Sequence, residues 1–296
     1  MKLVVFRNSS EQNRPYMNYR IGALVDENTI ADLTPSILPM GLTADEVLRC
    51  YDLATDFVTH ASEAVDTGEL PTVSRDDVRL EAPVPRPSKI ICIGLNYLDH
   101  VRESGAEIPK SPLIFSKFDT CVAASEDKIL LPTGSGQVDF EAELAVVIGR
   151  RAKNIKLEDA MNYVFGYTNF NDVSARDMQF ADGQWQRGKS CDTFAPFGEF
   201  VATKDEIADP HSLRIQFRLN GETMQDSNTD QLIFKIPDLV EYLSRSITLE
   251  PGDVIATGTP PGVGFARKPP VFLKDGDVCE VEIEGLGILI NAVSAG

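Results

Sequence analysis

The run Asp139-Phe140-Glu141-Ala142-Glu143-Leu144-Ala145-Val146-Val147-Ile148-Gly149 joins two features that conflict unless something reconciles them. Its second half is apolar, rich in β-branched residues and closed by Gly, which predicts a strand buried on both faces. Its first half places carboxylates at alternate positions. Strand side chains alternate faces, so Asp139, Glu141 and Glu143 point the same way. Carboxylates gathered at the mouth of a buried strand are protonated or driven out by desolvation and mutual repulsion. A hard divalent cation removes that cost, because Mg2+, Mn2+ and Ca2+ all favour carboxylate oxygens. Spacing alone leaves a second reading open, a solvated edge strand with an acidic outer face. Asp139 reads as a strand-start residue or a support behind the ligands.

Outward from this stretch, the composition bounds the rest. The chain has 296 residues, 43% hydrophobic and 25% charged, ordinary for a globular protein. A net charge of −17 argues against nucleic acid or anionic membrane as the main partner. An anionic substrate would need a local cation to overcome that field. The first apolar run, Leu3 to Phe6, is too short for a signal sequence or a membrane span. The five Cys are scattered without a CxxC pair, which predicts reduced thiols in a cytosol-like compartment. Three His residues are too few for a His-rich zinc site.

Residues 1 to 84 are weakly patterned. Strands are predicted at Lys2–Arg7, Arg20–Val25 and Thr29–Leu33. A helix is predicted after a Thr43 cap, with Glu46 three residues on and Val47, Leu48 and Tyr51 as its stripe. The Pro-rich Ala82–Ser88 is a domain boundary. Residues 1–84 are then a small N-terminal α/β domain, and 85–296 the catalytic one. Lys89–Gly94 and Pro112–Lys117 read as buried strands. Between them, a helix around Asn96–Glu103 puts His100 and Glu103 on one face as an i, i+3 pair. A carboxylate beside an imidazole fixes its tautomer, which suits a general base; an ordinary surface pair is the alternative. Val164–Asn171 delivers Asp172 to a strand end. Arg176 and Lys189 follow and supply positive charge near the acidic strand. Asn220-Gly221 signals a type I′ hairpin, and Pro237 opens a helix to about Ser244. Gly258–Gly264 is a tight loop whose backbone N–H groups can approach a ligand. No GxSxG elbow or GxGxxG fingerprint occurs, and Cys191 reads as packed rather than nucleophilic.

Five motifs in order resemble the fumarylacetoacetate hydrolase family over about residues 85–294. They are Gly94-Leu95-Asn96-Tyr97 with His100 and Glu103, Asp139-Phe140-Glu141-Ala142-Glu143-Leu144, Asn171 to Asp177, Gly188 to Phe194, and Gly258 to Gly264. The resemblance implies an α+β fold, a mixed β-roll with flanking helices. It implies Glu141, Glu143 and Asp172 as ligands of Mg2+, with Mn2+ or Ca2+ as substitutes. It implies a lid dyad of His100 and Glu103. It also implies Lys189 as a catalytic cation, and Arg176, Gln179 and Thr259 as substrate contacts. Cys191 stands where the family commonly has a larger apolar residue.

The implied chemistry acts on small anionic 2-oxo acids, with no nucleic-acid or membrane partner. The main expectation is a hydrolase cleaving a C–C bond in acylpyruvate- or fumarylpyruvate-type 2,4-dioxo acids. His100 would activate water, Lys189 would steady the oxyanion, and the metal would stabilise the enolate. The alternative is an oxaloacetate tautomerase or decarboxylase using the same enolate. A catalytically inactive metal-stabilised binding protein is the non-enzymatic reading. The intact dyad and Lys189 argue against it. A homodimer follows from the resemblance. A cytoplasmic location is expected, with a mitochondrial one left open for a eukaryotic source, no transit peptide being seen.

Overall fold

The computed structural model describes residues 1–9, 19–37, 46, 48 and 58–296. Most of the helix predicted after Thr43 lies outside the described residues. Strand Ala142–Ile148 is buried along its whole length, as its apolar run requires. It sits near the middle of an eleven-stranded mixed sheet. Antiparallel Val164–Asn171 flanks it on one side and Val254–Ala256 on the other. Beyond Val254–Ala256 come Ile90–Gly94, in parallel, and then Leu113–Lys117. On the other flank Val201–Thr203 joins Lys2–Asn8, so the N-terminal strands continue the sheet that carries the acidic residues.

A five-stranded sheet built on the hairpin Arg214–Leu219 and Glu222–Asn228 packs against the first. Asn220 and Gly221 both take positive φ at the turn, as the Asn-Gly signal predicts. Phe140 and Phe217, both fully buried, stack at 4.1 Å across the two layers. Such a pair contributes about 0.5–1.5 kcal/mol beyond the area it buries. The architecture is α+β with mixed sheets and few helices, as expected.

Two local expectations change. The acidic stretch is not one strand. Val138–Asp139 pairs separately with Ser174–Ala175, and the chain shifts sheets at Phe140–Glu141. Leu113–Lys117, read as buried, is the outermost strand of its sheet, with Leu113 40% exposed. An apolar run of that length looks the same in sequence whether one face or both are covered.

The helix Ile236–Ser246 starts on a cap that the sequence did not reveal. His211 Nε2 accepts the Ile236 N–H at 3.2 Å. Burial, and then Lys235, pull the His211 pKa below its ordinary value. The fold therefore favours the neutral ring. Its contribution is fully present above about pH 6.5 and is lost as pH falls through the lowered value. Denaturant midpoints measured from pH 7.5 to 5 should fall in the wild type and fall less in His211→Gln.

Candidate metal and active site

The carboxylates meet because two antiparallel strands end together. Ala142 is in register with Asn171, so Glu141 and Asp172 lie just past the last pair. The junction is closed by the Asp172 N–H donating to the Glu141 carbonyl at 2.9 Å. The Glu141 N–H donates to Asn171 Oδ1 at 3.0 Å. Glu143 lies one step inward on the same face. Carboxylate oxygens of Glu141, Glu143 and Asp172 lie within 4.8 Å of one another, and all three residues are buried. Asp139 is not in this cluster, although strand alternation would place it there. The break at Phe140–Glu141 turns it toward the Gly264 and Phe265 N–H groups.

Three cations brace the carboxylates. Lys189 Nζ donates to Glu141 Oε2 and to Asp172 Oδ2, both at 2.7 Å. Lys117 Nζ donates to the other Asp172 oxygen at 2.6 Å and to the Val173 carbonyl. The Arg176 guanidinium spans Asp139 and Glu141, at 2.9 and 2.5 Å, and donates to Gln179 Oε1 at 3.0 Å. Burial opposes the Glu141 charge, but Lys189 and Arg176 hold its carboxyl down at about 2. Glu143 differs: among the described residues its carboxylate receives only the Gly258 N–H, at 2.9 Å. Burial, then Asp172 and Glu141, push it well above the ordinary carboxylate range.

The donor set fits a hard divalent cation. All three ligating groups are oxygen donors, and Glu143 is a buried carboxylate with no cationic partner. With Asp139 counted, four carboxylates face three side-chain cations, leaving one negative charge. A divalent ion reverses that sign, as an anionic substrate requires.

The cluster opens into a cavity of about 490 Å³. His100 and Glu103 line it, and so do Arg176, Gln179, Lys189 and Thr259. His100 and Glu103 come from helix Leu98–Ser104, with His100 Nδ1 3.1 Å from Glu103 Oε2. The Gly262 N–H also donates to Glu103, at 3.0 Å, which ties this helix to the Gly258–Gly264 loop. That loop packs closely on the hairpin strand, where only Gly fits, since a Cβ on Gly262 would come within 2.1 Å of the Met224 carbonyl oxygen. Phe115 and Trp185 form one apolar wall, their rings edge to face at 5.3 Å.

All nine candidate residues thus sit in one place: Glu141, Glu143 and Asp172 as a cluster, and the other six on the cavity wall. The sequence reading missed Lys117 and Gln225. Lys117 showed only as a Lys closing an apolar strand. Gln225 Nε2 donates to Thr259 Oγ1 at 2.8 Å while its Oε1 accepts the Ala142 N–H at 2.9 Å. It leaves the Thr259 hydroxyl proton free for the cavity. No spacing signal links a hairpin Gln to a loop Thr.

Comparison with known proteins matches the geometry. The fumarylacetoacetate (FAA) hydrolase C-terminal family model covers residues 89–294. The chain belongs to the fumarylacetoacetate hydrolase family. Within the family, it is 49% identical over 273 residues to the mitochondrial oxaloacetate tautomerase Fahd2a of Rattus norvegicus. That alignment covers 92% of this chain and 84% of the rat protein. It is 52% identical over 227 residues to the human mitochondrial oxaloacetate tautomerase FAHD2A, covering 76% and 72%. A fumarylacetoacetate hydrolase structure from Exiguobacterium antarcticum superposes with a TM-score of 0.85, at 37% identity and full coverage of both chains. The protein is an enzyme of this metal-dependent hydrolase and isomerase family.

The cytoplasmic expectation is corrected by the same comparison, because the rat and human relatives are mitochondrial proteins. Free thiols separate reducing from oxidising compartments and do not tell one reducing compartment from another. Cys92, Cys121, Cys191 and Cys279 are indeed free.

Proposed function

We propose that the protein interconverts the keto and enol forms of oxaloacetate, with a divalent cation, Mg2+ first, held by Glu141, Glu143 and Asp172. One observation carries this reading: the His100–Glu103 pair and the acidic cluster share a single cavity, in a chain half identical to tautomerases of that substrate. The relatives favour it over C–C bond hydrolysis, to which the Exiguobacterium structure, at lower identity, lends support.

When bound, the cation supplies a Lewis acid for the 2-oxo carboxylate end of the substrate. The protein's own groups do the rest. A carboxylate only accepts hydrogen bonds, so Glu103 fixes the proton on His100 Nδ1 and leaves the Nε2 lone pair as the base. In the keto-to-enol direction the C3–H bond breaks as His100 Nε2 takes the proton, and the imidazolium so formed gives that proton to the C2 oxygen, forming the O–H bond and restoring the neutral ring. Nothing is oxidised or lost. Lys189 offsets negative charge growing on that oxygen. Arg176, Gln179 and Thr259 orient the carboxylate. The apolar wall of Phe115 and Trp185 limits water.

The test is direct. Enol-oxaloacetate would be mixed with protein and Mg2+, and loss of its ultraviolet absorbance followed against the spontaneous rate. Acceleration supports the reading. Background-rate decay alongside pyruvate release from acylpyruvates would replace it with hydrolysis. The family resemblance is also the warrant for a homodimer; a light-scattering mass near 32.5 kDa at micromolar concentration would refute that.

A further inference from the structure

The cations at the closed end of the cavity are already committed. Lys189 is bonded to Glu141 and Asp172, and Arg176 to Asp139 and Glu141. One further cation lines the same cavity. Lys268 is exposed and makes no hydrogen bond or ion pair with any described residue. In a chain of net charge −17, an unpaired lysine at this cavity wall adds positive charge where an anionic ligand would enter.

Its backbone is held even though its side chain is free. The preceding residue, Arg267, donates to the Gly262 carbonyl at 3.2 Å and to the Met224 carbonyl at 2.7 Å. The Val271 N–H closes back on the Gly264 carbonyl at 3.0 Å. Asp139 accepts the Gly264 and Phe265 N–H groups of the same loop. Phe265, beside Phe180 at 5.2 Å, gives the stretch leading to Lys268 an apolar flank. Lys268 is therefore an ammonium group on a pinned base, presented to the cavity and available to a ligand.

We propose that Lys268 is a specificity residue that receives the carboxylate farthest from the 2-oxo group, so that the site selects four-carbon dicarboxylates over monocarboxylate 2-oxo acids. This rests on the oxaloacetate reading for its substrate class. It adds what that reading lacks, a partner for the second carboxylate, since Arg176 and Lys189 are already assigned to the 2-oxo carboxylate end.

The experiment measures binding as well as turnover. In calorimetry with Mg2+ present, wild-type protein should bind malate about 5- to 10-fold more tightly than 2-hydroxybutyrate, which keeps the chelating end and lacks the distal charge. Lys268→Met should bring that ratio to about one with 2-hydroxybutyrate affinity unchanged, and Lys268→Arg should restore it. In turnover, Lys268→Met should raise KM for oxaloacetate and leave kcat and the 4-methyl ester little affected. A malate preference that survives in Lys268→Met overturns the assignment, and so does a wild-type protein that binds both ligands equally. A Lys268-dependent preference in a protein that does not speed enol-oxaloacetate decay would sustain the assignment while removing the tautomerase reading.

Discussion

Replacing Glu143 with Gln should abolish metal-dependent activity and leave the metal-free protein as stable as the wild type. Glu143 is the one clustered carboxylate with no cationic partner. A Gln there keeps an oxygen for the Gly258 N–H and removes a buried carboxyl to which, among the described residues, no cation is bonded. Its loss takes away a ligand itself, so the effect on metal affinity should exceed the 10- to 100-fold typical of groups that merely orient ligands. Thermal denaturation gives the second readout. At 100 times its Kd, Mg2+ should stabilise the wild type by about 2.7 kcal/mol and the variant hardly at all. Asp172→Ala is a poorer test, although the sequence makes it look equivalent. Asp172 holds both Lys117 and Lys189, and removing it leaves the buried Lys117 without an acidic partner and Lys189 with Glu141 alone. That variant should lose about 3–5 kcal/mol even in EDTA. A full Mg2+-dependent shift retained in Glu143→Gln would show that the ligand set is misassigned.

His100→Ala should slow enol–keto conversion by about 100-fold or more, the usual contribution of a positioned base. The metal-dependent thermal shift should be unchanged, because His100 does not touch the carboxylate cluster. Glu103→Gln should have a smaller effect and a mixed origin, since Glu103 both orients the ring and receives the Gly262 N–H. Lys189 is the rival base. Its ammonium already donates to Glu141 and Asp172, which suits a charge-stabilising donor rather than an acceptor. If His100→Ala kept wild-type rates while Lys189→Met lost them, the two roles would have to be exchanged.

The residues of the site that could be read in sequence are those whose signal is local. Glu141 and Glu143 are two apart on a strand, and Asp172 ends the next apolar run, so alternation and strand ends find them. The His100–Glu103 pair needs only one helical turn. Lys117 was hidden because its partner, Asp172, is 55 residues away and the two meet only through the order of strands in the sheet. Gln225 was hidden for the same reason, its partners lying on Ala142 and Thr259. Asp139 reads in sequence as a strand-start residue or a support behind the ligands, and the two-residue change of sheet at Phe140–Glu141 turns it to Arg176 and the Gly264 and Phe265 N–H groups. Exposure of Leu113–Lys117 depended on its being last in the sheet, which no feature of that run records.

The lysine and arginine bracing described above also bears on how the enzyme could be supplied with its ion. Glu141 and Asp172 are held at their posts by Lys189, Lys117 and Arg176 before any metal arrives. Loading therefore needs little of the chain to be ordered, and affinity is not tied to folding as it is in zinc fingers. The active fraction of the pool would then follow the free divalent-ion level around it, rising and falling without new synthesis.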